Sequence, residues 1–186
     1  MNKILKLTLV LFLICAIVAA VLGVVNEVTK DRIAAIQAEK TRAAYNTVLR
    51  SDFYQDVDMN PYTEVANGQK IKIDSIAEAG NGSGYVVQTT FSGAQGNITM
   101  VVGVDREGKC TGISIIKHSE TSGLGANAAS SAEVGVNFRG QFKGQDESIA
   151  LAKAGGSIDA LSGATITSRS VTNAVKAAIQ AVKALG

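Results

Sequence analysis

Between Asp159 and Ser168 the chain reads Asp-Ala-Leu-Ser-Gly-Ala-Thr-Ile-Thr-Ser, with the hydroxyls of Ser162, Thr165, Thr167 and Ser168 grouped around a Gly-Ala pair. Directly after it, Val171, Ala174, Val175, Ala178, Ile179, Val182 and Leu185 recur at the spacing of one amphipathic helical stripe. The segment thus predicts a small-residue loop feeding a helix, with Thr167 or Ser168 at the N-cap. A helix start leaves backbone N–H groups without acceptors and carries the positive end of the dipole. Gly163 and Ala164 leave room for a phosphate to come close. From the residues alone this is an anion site beside a row of hydroxyls.

With Asp159 and the terminal Thr both in register, the segment resembles the flavinylation motif of the FMN-binding domain family, an Asp followed by Ser/Thr-Gly-Ala-Thr/Ser-x-Thr. The resemblance implies that a flavin transferase joins FMN, through its phosphate, to Thr167. Asp159, Ser162, Gly163, Ala164 and Thr165 then form the recognition frame.

A second segment, His118-Ser119-Glu120-Thr121-Ser122-Gly123-Leu124-Gly125, ends a predicted strand in polar residues and glycines. Such a loop can offer N–H groups and small hydroxyls to a planar ligand. It is similar to the family's His-x-Glu-Thr-Pro-Gly-Leu-Gly, with Ser122 in place of Pro. The resemblance implies flavin-ring contacts from Glu120, Thr121, Leu124 and Gly125, while His118 reads as a structural strand end. Phe138-Arg139-Gly140-Gln141-Phe142-Lys143-Gly144 resembles a third family segment, and its aromatic pair is expected to close the core. Lys153 could offset phosphate charge or stay solvated.

Short alternating runs must position these loops. Ile71–Ile76, Tyr85–Phe91, Ile98–Val104 and Ile113–Lys117 are separated by turn-rich breaks at Gly80–Gly84, Ser92–Gly96 and Asp105–Gly108. Four strands with no helix between them predict an antiparallel meander. Helical segments before and after it predict an α+β fold, with helices covering one face of the sheet.

Ahead of that domain, Leu7–Val25 runs for 19 residues without a charge, a length that fits the hydrocarbon layer of a bilayer. Lys3 and Lys6 precede it, which predicts a cytoplasmic N-terminus and an extracytoplasmic main domain. A cleaved signal peptide is the competing reading. The run extends past Ala20 through Val25, longer than a usual signal core, which favours an uncleaved anchor. Residues 1–25 are therefore expected to form a cytoplasmic start and membrane helix, 26–68 a helical stalk and connector, and 69–186 the extracytoplasmic FMN-binding domain.

Cys15 lies in the apolar run and Cys110 far beyond it, so no bridge between them is expected. A formal net charge of +2, 5% aromatic residues and no basic cluster exclude a nucleic-acid surface. One His and no ligand-like Cys or carboxylate spacing argue against a metal site.

Within the family, a membrane span joined to this domain looks most like the flavin-bearing members of Rnf-type electron transport complexes. That likeness implies covalent FMN relaying electrons in a ferredoxin:NAD oxidoreductase coupled to Na⁺ or H⁺ translocation. It also implies further membrane proteins of the complex and a flavin transferase as partners. Two further readings stay open: a stand-alone exported FMN redox carrier, and a non-redox anchored module in which Thr167 only caps a helix.

Overall fold

The computed structural model describes residues 3–185. The chain divides into two compact units, one up to Lys40 and one from Thr41 onward. Helix α1, Lys3–Val48, begins in the first and ends in the second. Its apolar part reaches a mean hydropathy of 3.0 over an 18-residue window, none of it buried, and is long and apolar enough to cross a membrane once. A helix that is apolar all round suits lipid as its solvent.

The second unit is built on a six-stranded antiparallel sheet. Its strands are β1 Tyr54–Asp56, β2 Tyr62–Ala66, β3 Gln69–Ala79, β4 Gly84–Ser92, β5 Asn97–Asp105 and β6 Cys110–Lys117. The meander of β3 to β6 follows the predicted breaks. β1 and β2 fall in the connector and are too short to show alternation. Both pair with β3, β1 near Ala79 and β2 near Ile73, so they cover its outer edge end to end.

After β6 come a 3₁₀ turn at Gly125–Ala129, helix α2 at Glu133–Gly140, a 3₁₀ turn at Ala152–Ala154, and helix α3 at Thr165–Lys183. The stripe of α3 behaves as its spacing predicts. Val171, Ala174, Val175, Ala178 and Ile179 are fully buried and pack in one cluster with Ile71, Ile73, Ile98, Met100 and Val102 of the sheet. Leu185 departs from the stripe: the helix ends at Lys183, and Leu185 is exposed beyond it. Phe138 and Phe142 close the same core edge to face, centroids 5.3 Å apart.

Helices cover both faces of the sheet rather than one. Ala44, Val48 and Leu49, from the end of α1 and the residue after it, pack with Ala79, Val86 and Val101 on the opposite face. Consecutive residues such as Val86 and Val87, or Val101 and Val102, are therefore both buried, and β5 carries an unbroken buried run from Met100 to Val104. Gly103 permits this approach, since a Cβ there would lie 2.7 Å from the Val48 carbonyl oxygen and 2.3 Å from Thr111 Oγ1. Thr111 in turn donates to that carbonyl. Gly103→Val is expected to lower stability by about 1–3 kcal/mol through overpacking. Denaturant unfolding of the detergent-solubilised protein measures it, and an unchanged midpoint would contradict this packing.

Candidate functional site

Helix α3 starts earlier than its sequence suggests. Ala164 is the N-cap, without a side-chain cap hydrogen bond, and Thr165 is the first helical residue. Neither Thr167 nor Ser168 caps the helix; Thr167 is the third residue of the first turn. Ser168 is engaged elsewhere, its hydroxyl donating to the Ala164 carbonyl at 2.9 Å and accepting the Leu161 N–H at 3.0 Å. This pairing folds the small-residue loop back onto the helix. The first-turn N–H groups still have no acceptor within the helix.

Thr167 is 1% exposed, and its hydroxyl donates to Glu120 Oε2 at 2.5 Å, joining the two predicted loops. The other carboxylate oxygen of Glu120, Oε1, accepts the N–H groups of Ala94 and Gln95 at 2.9 and 3.0 Å. A buried carboxylate with three donors is satisfied, and charge-assisted bonds of this kind hold it in one orientation. Gly125 makes the junction possible. A Cβ there would stand 2.3 Å from Glu120 Oε2 and 2.7 Å from Thr167 Oγ1. His118 serves locally, its Nδ1 accepting the Glu120 N–H at 3.3 Å.

Above this junction lies a cleft of about 300 Å³, within the usual range for a small-molecule site. Of the predicted site residues, Glu120, Thr121, Leu124, Gly125, Gly163, Ala164, Thr165 and Thr167 all line it. Asp159 and Ser162 do not; both are exposed on the approach to α3. Asp159 is positioned through its backbone, which exchanges hydrogen bonds with the Gln141 side chain at 2.7 and 3.3 Å. The third family-like segment is thereby tied to the first. Lys153 lines a separate cleft with Arg169, Asn67 and Asn173 instead.

Three lining residues were missed by sequence reasoning: Ala94, Gln95 and Ile166. Ala94 and Gln95 belong to the β4–β5 turn and contribute backbone N–H groups, for which side-chain type carries no signal. Ile166 has one. An isoleucine between two hydroxyl residues, off the buried stripe, is 61% exposed beside Leu124 at 44%. Two exposed aliphatic side chains at one cleft suit an apolar planar partner.

The residues fit the phosphate and ring of FMN on this geometry. A hydroxyl at the cleft floor stands in the first turn of a 19-residue helix, and apolar groups line the same opening. Among the described residues no group of His, Cys, Asp and Glu could hold a metal ion.

Residues 93–180 match the FMN-binding domain model, and residues 1–48 match the RnfG N-terminal region. The G subunit of the ion-translocating oxidoreductase complex of Methanosarcina acetivorans is 33% identical over 192 residues, covering 98% of this chain and 96% of the relative. The G subunit of the proton-translocating ferredoxin:NAD(+) oxidoreductase complex of Clostridium ljungdahlii is 34% identical over 182 residues, covering 95% and 88%. The crystal structure of the C subunit of Na(+)-translocating NADH-quinone reductase from Parabacteroides distasonis shares the fold, with a TM-score of 0.50 at 21% identity over 78% of this chain and 82% of that one. With similarity running from the apolar helix through the Thr167 helix, the chain belongs to the FMN-binding domain family and, within it, to the RnfG proteins of ion-translocating oxidoreductase complexes.

Proposed function

We propose that this chain is a membrane-anchored flavoprotein that carries FMN in phosphoester linkage to Thr167 and relays electrons within an Rnf-type complex. The observation that carries the reading is the convergence on one cleft of the Thr167 hydroxyl, the Glu120–Gly125 loop and two exposed aliphatic side chains. Two relatives that match nearly the whole chain are named for ferredoxin:NAD⁺ oxidoreduction with ion translocation, which supports placing it in such a complex. The other membrane proteins of that complex are its partners, and a flavin transferase matures it.

When bound, FMN exchanges one or two electrons and so links carriers of different stoichiometry. The residues do the holding. Thr167 would anchor the phosphoryl group, with the first-turn N–H groups and the helix dipole offsetting its charge. Leu124 and Ile166 would flank the ring, with Thr121 offering a hydroxyl. A covalent tether makes retention independent of a dissociation equilibrium, so an open cleft suffices. The apolar part of α1 would hold the domain at the extracytoplasmic surface of the membrane, with Lys3 and Lys6 on the cytoplasmic side.

Intact-mass spectrometry of the natively produced protein, followed by peptide mapping, tests the reading. The expected result is one riboflavin phosphate per chain on the peptide containing Thr167. A bare chain mass would overturn it.

A further inference from the structure

Four hydroxyls lie within seven residues of one another, and the structure treats them differently. Ser162 is exposed and outside the cleft, and Thr165 lines the cleft with no carboxylate on its hydroxyl among the described residues. Ser168 is committed to Leu161 and Ala164. Among the described residues, Thr167 is the one of the four that donates to a carboxylate. Resting on the functional reading above, we propose that Glu120 selects Thr167 as the flavin acceptor by taking its proton as the phosphoester forms.

The chemistry follows from the linkage. Direct esterification by FMN would have to release water into water, so the donor must be an activated flavin dinucleotide with a pyrophosphate bond. Thr167 Oγ1 attacks the phosphorus on the riboflavin side, and the Oγ1–P bond forms. The pyrophosphate P–O bond breaks, and its electron pair leaves with the nucleoside monophosphate. The hydroxyl proton moves from Oγ1 to Glu120 Oε2, along the hydrogen bond already present. A base must lie within hydrogen-bond reach of the proton it abstracts, and this one does.

The surroundings fit that task. Oε1 is pinned by the Ala94 and Gln95 N–H groups, which leaves Oε2 facing the hydroxyl. No Lys, Arg or His forms an ion pair with Glu120 among the described residues. The carboxylate is therefore not neutralised by a fixed cation before it acts. The transferred proton also removes a charge conflict, because a carboxylate would otherwise face the new phosphodiester at close range.

The test is flavin incorporation into full-length apoprotein by purified flavin transferase and flavin adenine dinucleotide, with Glu120→Gln, Glu120→Asp and wild type compared. Gln keeps an oxygen for the Ala94 and Gln95 N–H groups but accepts no proton, so kcat for incorporation should fall roughly a hundredfold or more. KM for the apoprotein should stay within about twofold, because the docking surface is unchanged. Asp should recover part of the rate. Incorporation into Glu120→Gln at the wild-type rate would overturn the proposal. So would a loss confined to KM, or an Asp variant that folds like wild type yet labels no faster than Gln. Should wild type itself accept no flavin at Thr167, the functional reading fails instead, a separate outcome.

Discussion

Thr167→Val should give a folded, membrane-bound protein that carries no covalent flavin, while Thr167→Ser keeps it. Valine matches threonine in shape and fits the buried first turn of α3, so the helix and its core stripe survive. What disappears is Oγ1, the atom to which phosphorus would be joined, and the effect on attachment is therefore complete rather than graded. The substitution also removes one donor from Glu120. Oε1 keeps the Ala94 and Gln95 N–H groups, but Oε2 loses its only hydrogen bond to protein among the described residues. Leaving a buried acceptor without a partner costs about 1–3 kcal/mol, so Thr167→Val should also unfold at lower denaturant. Serine restores both the nucleophile and the donor. In-gel fluorescence under ultraviolet light separates these outcomes. A fluorescent Thr167→Val band, mapped to Ser162, Thr165 or Ser168, would mean that the acceptor is another hydroxyl of the loop.

The parts of the molecule that were readable from sequence are those in which periodicity or a turn residue carries the signal. The α3 stripe, the β3 to β6 meander and the apolar run in α1 each follow from spacing alone, because burial selects residue type at a fixed period. The start of α3 was less legible. A hydroxyl residue reads as an N-cap, yet Ser168 binds the Leu161 N–H and the Ala164 carbonyl instead, and the cap passes to Ala164. β1 and β2 were hidden for another reason: strands of three and five residues at a sheet edge bury too little to impose a pattern. The second helical layer was missed because Ala44 and Val48 sit among charged neighbours, and only tertiary packing reveals their face. In the site, the loop around Glu120 was recognisable but its partner was not. The carboxylate touches the hydroxyl of Thr167 and two amides of the β4–β5 turn, contacts between segments far apart in sequence.

Cys110 should be almost inert in the native protein despite facing an environment without a disulfide partner. It is 1% exposed in the main core, and burial pushes its thiol up from 9.0 to about 12, only partly opposed by its weak bond to the Gly112 carbonyl. The thiolate is the reactive form, so at about pH 8 its population is roughly a thousandfold below that of an unfolded thiol. Iodoacetamide should label Cys110 at least that much more slowly in folded than in denatured protein, with peptide mapping to separate it from Cys15. Native labelling at the denatured rate would show that the β6 end of the core opens readily. The same shift has a consequence for stability. A thiol kept neutral by the fold contributes fully below pH 9.0, and the contribution is lost as pH rises towards about 12. Its upper bound is about 4 kcal/mol. Tyr54 and Tyr62, also raised by burial, act in the same direction, so the whole protein should weaken in alkali. Cys110→Ala removes only the sulfur's share. Its stability should therefore fall less steeply than wild type above pH 9, whatever the cavity costs at neutral pH, and parallel curves would show that the buried thiol is not what limits the fold in alkali.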